Sequence, residues 1–281
     1  MKVIVDSGST STDWAFLKDE EIIHFKSPGF NPYYFKDEDY LNYLEDDKLS
    51  HIRFSQVEEI FFYGSGCSST INCNLVKTAL WEIFPNAQIH LHHDLYGAAV
   101  ALCGNDAGIA CILGTGSNSC SWDGEKIIEN VPSLGYILTD EGSGTYLGKI
   151  ILTEILLGNA PKNISDKFYQ QYNTDFSKTL DLIYKTENPN KFISGLSKFA
   201  FENKDDIWVT SMIKQNFIDF IERQICKYKD YHSLTIHFVG TVGFEFKEIL
   251  NEVMTQYKLN CGQILKSPMD NLISFHQKTT D

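Results

Sequence analysis

The sequence predicts an α/β protein built from two units with the same order of elements. Short apolar or alternating runs, typical of strands, alternate with longer runs typical of helices. The order strand, strand, strand, helix, strand, helix, strand, helix occurs twice, although the two halves share negligible sequence identity. The chain has 281 residues, of which 43% are hydrophobic. That length suits one large domain or two medium ones.

The first unit is predicted to cover residues 1–105. It opens with the apolar run KVIV, and two further strands follow, with a polar turn at Lys18, Asp19 and Glu20. Three consecutive short strands indicate an antiparallel meander. Helices and strands then alternate. The predicted strands are 2–5, 12–17, 20–26, 58–64 and 88–93, and the predicted helices are 37–50, 69–83 and 95–103.

The second unit is predicted to cover residues 106–281. A long helical stretch over 163–230 has no counterpart in the first unit, so we interpret it as an insertion. The last helix is a candidate to pack back onto the first unit, and a ligand cleft is expected between the units. The predicted strands are 107–114, 118–123, 125–130, 234–240 and 262–266, and the other predicted helices are 143–157, 245–257 and 269–277.

Charge and cysteine content argue against several classes of protein. The formal net charge is −13, from 24 basic and 37 acidic residues, which disfavours nucleic acid or an anionic membrane as a partner. The seven cysteines show no CxxC spacing, so neither a zinc site nor a disulfide framework is indicated. The sequence shows no signal peptide and no apolar run of about 18 residues. We therefore expect a cytoplasmic protein.

Turns rich in glycine, serine and threonine follow the predicted strands. Glycine lets the backbone approach a ligand closely, and hydroxyl and amide groups can hold phosphate oxygens without a basic residue. Any one of these turns is more often an ordinary turn. Neither a Walker A motif nor GxGxxG is present. The five turns are DSGST (6–10), GSGCSS (64–69), GTGSNS (114–119), DEGSG (140–144) and GTVG (240–243).

Asp94 lies where the strand QIHLHH passes into a helix rich in small residues. Locally, its best interpretation is a helix N-cap. The alternative is a general base at the end of a strand, and the two roles are compatible. For Asp6 the local alternatives are an Asx-turn and a metal ligand. For Asp140 the local alternatives are a cap or a charge that interacts with the helix dipole at the start of the following helix, and a ligand contact.

Three histidines precede Asp94. In a strand, His90 and His92 share one face and His93 points the other way. No acidic or cysteine partner has matching spacing, so polar positions of a half-exposed strand are favoured over a metal cluster.

Taken together, these motifs resemble the ATP-binding fold shared by actin, hexokinases and heat-shock chaperone ATPases. Within it, the sequence is most similar to the BadF/BadG/BcrA/BcrD-type ATPase family, and to N-acetylglucosamine kinases in particular. The resemblance implies two duplicated ribonuclease H-like units. ILGTGSNS together with GYILTDEGSG is its most specific part. The matching segments are DSGSTSTDW (6–14), GFNP (29–32), YGSGC (63–67), HDLYGAA (93–99), ACILGTGSNS (110–119), LGYILTDEGSG (134–144), FVGTVG (238–243) and SPMDNLISFH (267–276).

The resemblance also implies a role for each motif, with ATP and Mg²⁺ as cofactors and a small amino sugar as the partner. Asp94 matches the catalytic base, and Asp6 would hold Mg²⁺ through water. The first phosphate hairpin would contain Gly8, Ser9 and Thr10, and the second Gly114 and Thr115. Gly240 and Thr241 would lie beside the adenosine. The implied sugar contacts are Asn31, Ser117, Asn118, Gly135 and Asp140.

One departure from the family pattern bears on the substrate. Thr139 stands where such families usually have glycine before the aspartate, and its side chain could alter which sugar fits beside Asp140. The sequence leaves the choice among N-acetylglucosamine, N-acetylmannosamine, N-acetylmuramic acid and glucosamine open, and leaves a homodimer open. An activator ATPase with an interfacial iron–sulfur cluster and a non-catalytic sugar or nucleotide sensor are the competing functions.

Overall fold

The computed structural model describes residues 1–8, 10–18, 21–30, 32, 44, 49–50, 52–67 and 69–278. The helix predicted over 37–50 lies almost wholly outside these residues. The chain divides into two compact units. One comprises Met1–Asn105 with Ser267–Asp281, and the other comprises Asp106–Lys266. The cleft expected between them stays a prediction.

The first unit is built on a five-stranded mixed sheet with the strand order β3-β2-β1-β4-β5. Its first three strands form the predicted antiparallel meander, and β4 and β5 add in parallel to β1. The carboxyl ends of β1, β4 and β5 therefore share one edge of the sheet. The strands are β1 Lys2–Ser7, β2 Ser11–Lys18, β3 Glu21–Pro28, β4 Glu59–Gly64 and β5 Gln88–His93.

The second unit repeats this topology, with the strand order β10-β9-β6-β7-β8. Its meander is β6 to β8, and β9 and β10 add in parallel to β6. The predicted α/β class and duplicated element order are thus confirmed. The strands are β6 Gly108–Leu113, β7 Ser117–Trp122, β8 Ile127–Asn130, β9 Thr235–Val239 and β10 Asn260–Leu265.

Helices cover each sheet, because each sheet has an apolar face to bury. The first unit contains α1 Thr70–Ile83, α2 Asp94–Cys103 and α10 Met269–Lys278. In the second unit α3 Gly144–Leu156 follows the meander, and the inserted stretch forms α4 Lys162–Gln171, α5 Phe176–Tyr184, α6 Pro189–Glu202 and α7 Ile207–Arg223. The remaining helices are α8 Thr241–Glu245 and α9 Lys247–Gln256, and short 3₁₀ turns form at Phe54–Gln56 and Ile225–Lys227.

The inserted helices belong to the core of the second unit rather than to its periphery. Phe199 of α6 and Phe217 and Phe220 of α7 are fully buried in one cluster with Phe238 of β9. The first unit has a separate core around Trp14, Phe16 and Phe62. Over the described residues, no helix has the length and apolar character that crossing a membrane requires.

The helix predicted over 245–257 forms over Lys247–Gln256, but the sequence pattern missed the short helix Thr241–Glu245 before it. The two helices meet at Phe246, whose φ and ψ are −111° and 26°. The ring of Phe246 is buried in the core. The chain leaves regular helix there because this burial and the preceding turn at Gly240 outweigh the local propensity.

Candidate functional site

In the first unit, Asp6 lies near the carboxyl end of β1, where it pairs with Asp13 on β2 and with Tyr63 on β4. Asp13 forms an ion pair with Lys26, at 2.7 Å between Lys26 Nζ and Asp13 Oδ1. Burial raises the pKa of Asp6 to about 7, and the negative charges of Asp13 and Asp94 add to this rise. Asp6 is thus a carboxyl group that titrates near neutral pH and gains from a nearby cation.

The first glycine turn joins β1 to β2. Gly8 N–H donates to Ser11 O at 3.0 Å, and the hydroxyls of Ser7 and Thr12 are 2.9 Å apart. Both hydroxyls accept from the amide of Phe30 at 3.0 Å. This buried network fixes the hairpin against the start of the GFNP loop. Thr10 is exposed beside it, while Ser9 and Asn31 lie outside the described residues.

Asp94 is the first residue of α2 and does not cap it. The N-cap is His93, whose Nδ1 accepts from Tyr96 N–H at 3.2 Å. Asp94 Oδ1 accepts from the adjacent Leu95 N–H at 2.8 Å. The capping interpretation of Asp94 is therefore corrected: the backbone turn places the imidazole of His93, one residue earlier, over the open end of the helix.

Asp94 and Asp6 form an interacting pair at one edge of the first sheet. The strand register aligns Ser7, Gly64 and His93 across β1, β4 and β5, so the residues flanking them are brought to the same edge. Burial raises the pKa of Asp94, and the Leu95 amide and His93 oppose that rise. The negative charge of Asp94 also contributes to the raised pKa of Asp6, so a cation bound at this edge is favourable.

The histidines of β5 stack on aromatic rings. His90 stacks on Phe61 with ring centroids 4.7 Å apart, and His92 stacks on Tyr96 at 4.3 Å. His276 of α10 also stacks on Phe61, with ring centroids 3.9 Å apart. In the part of the chain that the structure describes, no three His, Cys, Asp or Glu residues group as metal ligands.

His276 also ties the last helix to the sheet. Its Nε2 lies 2.7 Å from Tyr63 Oη in a buried pair. Burial lowers the pKa of His276 from 6.5 to about 4, and Lys2, His90 and His92 add to the lowering while Glu59 opposes it. The fold therefore favours the neutral ring.

We expect this pair to make stability depend on pH. Because the folded pKa of His276 lies below the unfolded value, its contribution is complete above pH 6.5 and is lost as the pH falls toward 4. The change in the free energy of unfolding is about 2–3 kcal/mol. His276→Gln should remove that part of the slope in urea unfolding between pH 7 and 4.5. An identical slope in both proteins would contradict the assignment.

In the second unit, the hairpin Gly114–Ser117 joins β6 to β7. Gly114 N–H donates to Gly116 O at 3.0 Å, which closes a tight turn. The start of α3 holds this turn: Gly144 N–H donates to Gly114 O at 2.8 Å, and Thr145 Oγ1 donates to Thr115 O at 2.7 Å. The Thr115 side chain stays exposed. The hairpin and the helix start are thus one hydrogen-bonded unit.

Asp140 lies against this hairpin in an unusual conformation. It is buried, and its φ of 73° lies in the left-handed region, which costs a residue with a side chain about 1–3 kcal/mol. Its carboxylate accepts from Ser117 N–H and from Ser133 Oγ, the latter at 3.2 Å. Burial raises its pKa against these bonds and against Lys149. Such strain at a buried carboxylate is typical of functional sites.

Asn118 and Gly135 both precede Asp140 in the sequence. Asn118 Oδ1 accepts from Ser119 N–H at 3.0 Å and from Asn130 Nδ2 at 3.1 Å, so the side chain is oriented by its neighbours on β7 and β8. Gly135 is exposed, with a φ of 77°. Its carbonyl accepts from Thr139 N–H at 2.9 Å, which closes the loop before Asp140.

The Thr139 side chain takes part in closing the same loop. Its Oγ1 accepts from Leu134 N–H at 3.0 Å. Lys149 of α3 donates to the carbonyl of Tyr136 and, at 3.5 Å, to that of Thr139. The hydroxyl of Thr139 is therefore engaged with the loop backbone, and its effect on which sugar fits stays a prediction.

The GTVG turn follows β9 and packs on the GTGS hairpin. Gly240 has a φ of 123°, and a Cβ atom there would lie 2.4 Å from Leu113 O. Thr241, which begins α8, is exposed. The close approach of Gly240 to Leu113 and Gly114 brings the GTVG turn and the GTGS hairpin together.

We expect Gly240→Ala to destabilise the protein by about 2–4 kcal/mol, because the new methyl group meets the Leu113 carbonyl in a backbone conformation that alanine resists. Gly195→Ala is the matched control. Gly195 lies inside α6 with open space around it, so alanine there should stabilise by about 0.5–1 kcal/mol. Urea unfolding of both variants checks this, and equal stabilities would contradict it.

Sequence reasoning missed several residues that support these turns. Ser133 and Lys149 hold the Asp140 loop, and Glu141 pairs with Arg223 of α7, with 2.9 Å between Oε1 and Nη1. Asn216 of α7 accepts from Gly142 N–H at 2.8 Å. The signal available in the sequence was the DEGSG motif itself, but its partners are 74 and 82 residues away.

Comparison with solved structures gives a match over the whole chain at substantial identity. The putative N-acetylglucosamine kinase from Porphyromonas gingivalis is 37% identical, with a TM-score of 0.93, and the match covers 100% of both chains. The chain belongs to the same family as that protein. No family model matches the chain, and no curated protein matches it significantly.

Two solved structures of lower identity share the fold alone. The putative N-acetylglucosamine kinase from Chromobacterium violaceum is 16% identical, with a TM-score of 0.74 and 98% of each chain covered. The ethanolamine utilization protein EutJ from Carboxydothermus hydrogenoformans is also 16% identical, with a TM-score of 0.51 over 96% of this chain and 86% of its own. The fold by itself therefore does not fix an activity.

Proposed function

We propose that the protein is an ATP-dependent amino-sugar kinase that transfers the γ-phosphoryl group of ATP to O6 of N-acetylglucosamine. The whole-length match to the Porphyromonas protein carries this proposal. The buried or partly buried carboxylates Asp6, Asp94 and Asp140 supply the chemistry that such a transfer needs. We also place the family within the BadF/BadG/BcrA/BcrD-type ATPases, on the motifs quoted above.

Asp94 is the proposed general base. One of its carboxylate oxygens accepts the proton of the sugar hydroxyl as that oxygen attacks the γ-phosphorus and the bond to the leaving ADP breaks. Two observations support the role. His93 performs the capping that would otherwise occupy Asp94, and burial raises the pKa of Asp94 toward the pH at which a base is most effective.

Asp6 is the proposed partner of Mg²⁺, and the donor set fits this ion. Magnesium prefers carboxylate oxygen, keeps several of its waters, and needs only one or two protein carboxylates beside the phosphates. Bound magnesium supplies neutralisation of charge on the transferred group. Asp6, with a pKa raised to about 7, gains a counter-charge when it binds.

The glycine turns are the proposed nucleotide contacts. They offer backbone amides and hydroxyls in a chain with a net charge of −13, which fits phosphate binding without basic side chains. We assign Gly8, Ser9 and Thr10 to the first phosphate hairpin. Gly114 and Thr115 belong to the second, and Gly240 and Thr241 to the adenosine loop.

The proposed sugar contacts are Asn31, Ser117, Asn118, Gly135 and Asp140. Asp140 is ionised above its raised pKa and accepts hydrogen bonds from sugar hydroxyls. Asn118 has its oxygen engaged by Ser119 and Asn130, so its amide nitrogen is the group to be offered to a ligand acceptor. An N-acetyl carbonyl is such an acceptor.

A panel of amino sugars tests the proposal. With Mg²⁺-ATP held constant, ADP release is measured with N-acetylglucosamine, N-acetylmannosamine, N-acetylmuramic acid and glucosamine. We expect kcat/KM to be highest for N-acetylglucosamine. A preference for another of these sugars would change the substrate only, whereas no sugar-dependent ADP release from any would overturn the kinase assignment.

The activator-ATPase alternative makes a different prediction, because its cluster requires cysteines that can meet at a subunit surface. Cys103, Cys111 and Cys120 are buried at the end of α2 and inside β6 and β7. We therefore expect the protein purified without air to be colourless. A brown protein with a visible charge-transfer band would favour the alternative.

A further inference from the structure

The turn that contains Asp140 is bound by α7, the last helix of the insertion. Asp140 has a left-handed φ of 73°, and two residues later Gly142 has a φ of 86°. A turn with two such residues has other conformations open to it unless its surroundings fix it. The residues directly after Asp140 are both bound to α7, at Asn216 and Arg223.

Glu141 provides the charged part of this attachment. Its side chain is 1% exposed, whereas that of Arg223 is 62% exposed, and one guanidinium nitrogen lies 2.9 Å from Glu141 Oε1. Glu141 Oε2 has no hydrogen-bond partner among the described residues. A buried carboxylate with one oxygen unpaired contributes little to stability, because replacing a buried ion pair by apolar residues often leaves the protein equally stable. Its presence points to a role in fixing conformation.

Asn216 binds the backbone of the same turn through its side chain. It is fully buried, and its Oδ1 accepts from Gly142 N–H at 2.8 Å. One turn further along α7, the ring of Phe220 packs against Gly142 so closely that a Cβ atom there would lie 2.9 Å from it. Asn216, Phe220 and Arg223 recur at helical spacing, so a single face of α7 contacts the turn.

We propose that Glu141, Asn216 and Arg223 are positioning residues that hold Asp140 in the conformation that binds the sugar, and that the insertion serves the sugar site through α7. That these three residues fix the conformation of the turn is independent of the activity. That the fixed turn binds a sugar, and that the insertion therefore serves a sugar site, rests on the proposed function.

The test compares Arg223→Met and Arg223→Lys with a control on the same helix. Lys214 of α7 pairs with Glu252 of α9, at 2.6 Å, on a different side from the turn, so Lys214→Met removes an ion pair from α7 without touching Asp140. For Arg223→Met we expect the sugar KM to rise about 10–100-fold while the ATP KM stays within about twofold. Arg223→Lys should recover part of the loss, and Lys214→Met should change neither KM.

A second variant covers the case in which Arg223→Met unfolds because the Glu141 charge is stranded. Glu141→Gln/Arg223→Met leaves no unpaired charge at position 141, so it should fold and still show the raised sugar KM. Amide hydrogen exchange of residues 133–144 gives a readout that needs no activity, and both Arg223→Met proteins should exchange faster there than Lys214→Met. Unchanged exchange, or equal rises in both KM values, would overturn the proposal. Faster exchange in a protein that phosphorylates no amino sugar would contradict the proposed function and leave the fixing of the turn by α7 supported.

Discussion

Asp94→Asn should lower kcat for sugar phosphorylation about 10²–10⁴-fold, the contribution of a positioned general base. Asparagine keeps the shape of the side chain but cannot accept the hydroxyl proton. Nucleotide affinity, measured by calorimetry with Mg²⁺-ATP, should stay within a few-fold. In the wild type, kcat should fall as the pH drops through the pKa of Asp94, which burial places above the ordinary value.

His93→Ala is the matched control for that variant. It removes the side chain that caps α2, so it should lower the free energy of unfolding by about 1 kcal/mol and leave kcat within about tenfold. The two adjacent variants thus separate capping from catalysis. If Asp94→Asn retained most of the activity, or if its only effect were on stability, the base assignment would be lost.

Asp6→Asn should lower kcat/KM about 10²–10³-fold, because magnesium contributes several kcal/mol of charge stabilisation in phosphoryl transfer. The same variant should be more stable than the wild type. The folded pKa of Asp6, about 7, lies above the unfolded value of 3.8, so ionising this group costs folding free energy as the pH rises from about 4 to 7. Asparagine carries no such cost.

Urea unfolding at pH 8 without magnesium should show Asp6→Asn to be about 1–3 kcal/mol more stable. At pH 4, where the wild-type carboxyl is protonated, the difference should nearly vanish. Asp13→Asn is a useful comparison, since it removes the neighbouring charge and its ion pair with Lys26 without removing the proposed ligand. An Asp6→Asn variant that was less stable than the wild type at pH 8 would contradict the raised pKa of Asp6.

Most of the fold could be predicted because its signals are local. Buried strands such as KVIV and ACIL, the glycine turns after them and the small-residue helix after Asp94 each lie within a short window. Their order then determines the two parallel additions to each meander. The break at Phe246 could not be predicted in this way, since it depends on where a buried ring packs.

The candidate site likewise has some features with a local sequence signal and others that depend on distant contacts. Motifs located Asp6, Asp94, Asp140 and the turns around them, because each motif is contiguous. The cap of α2 was assigned one residue too late, since histidine is an uncommon N-cap and only the backbone geometry shows its Nδ1 over Tyr96 N–H. The attachment of the Asp140 turn to Asn216 and Arg223 spans 74 and 82 residues, and no local pattern encodes such a contact.

A ³¹P NMR spectrum of one reaction mixture tests the central claim most directly. The mixture contains the wild-type protein, Mg²⁺-ATP and N-acetylglucosamine, with Asp94→Asn run in parallel. The account predicts a new phosphomonoester resonance whose phosphorus couples to the two protons on C6, together with ADP, and no such resonance with the variant. ADP and inorganic phosphate without a sugar phosphate, or the same product from Asp94→Asn at the wild-type rate, would contradict it.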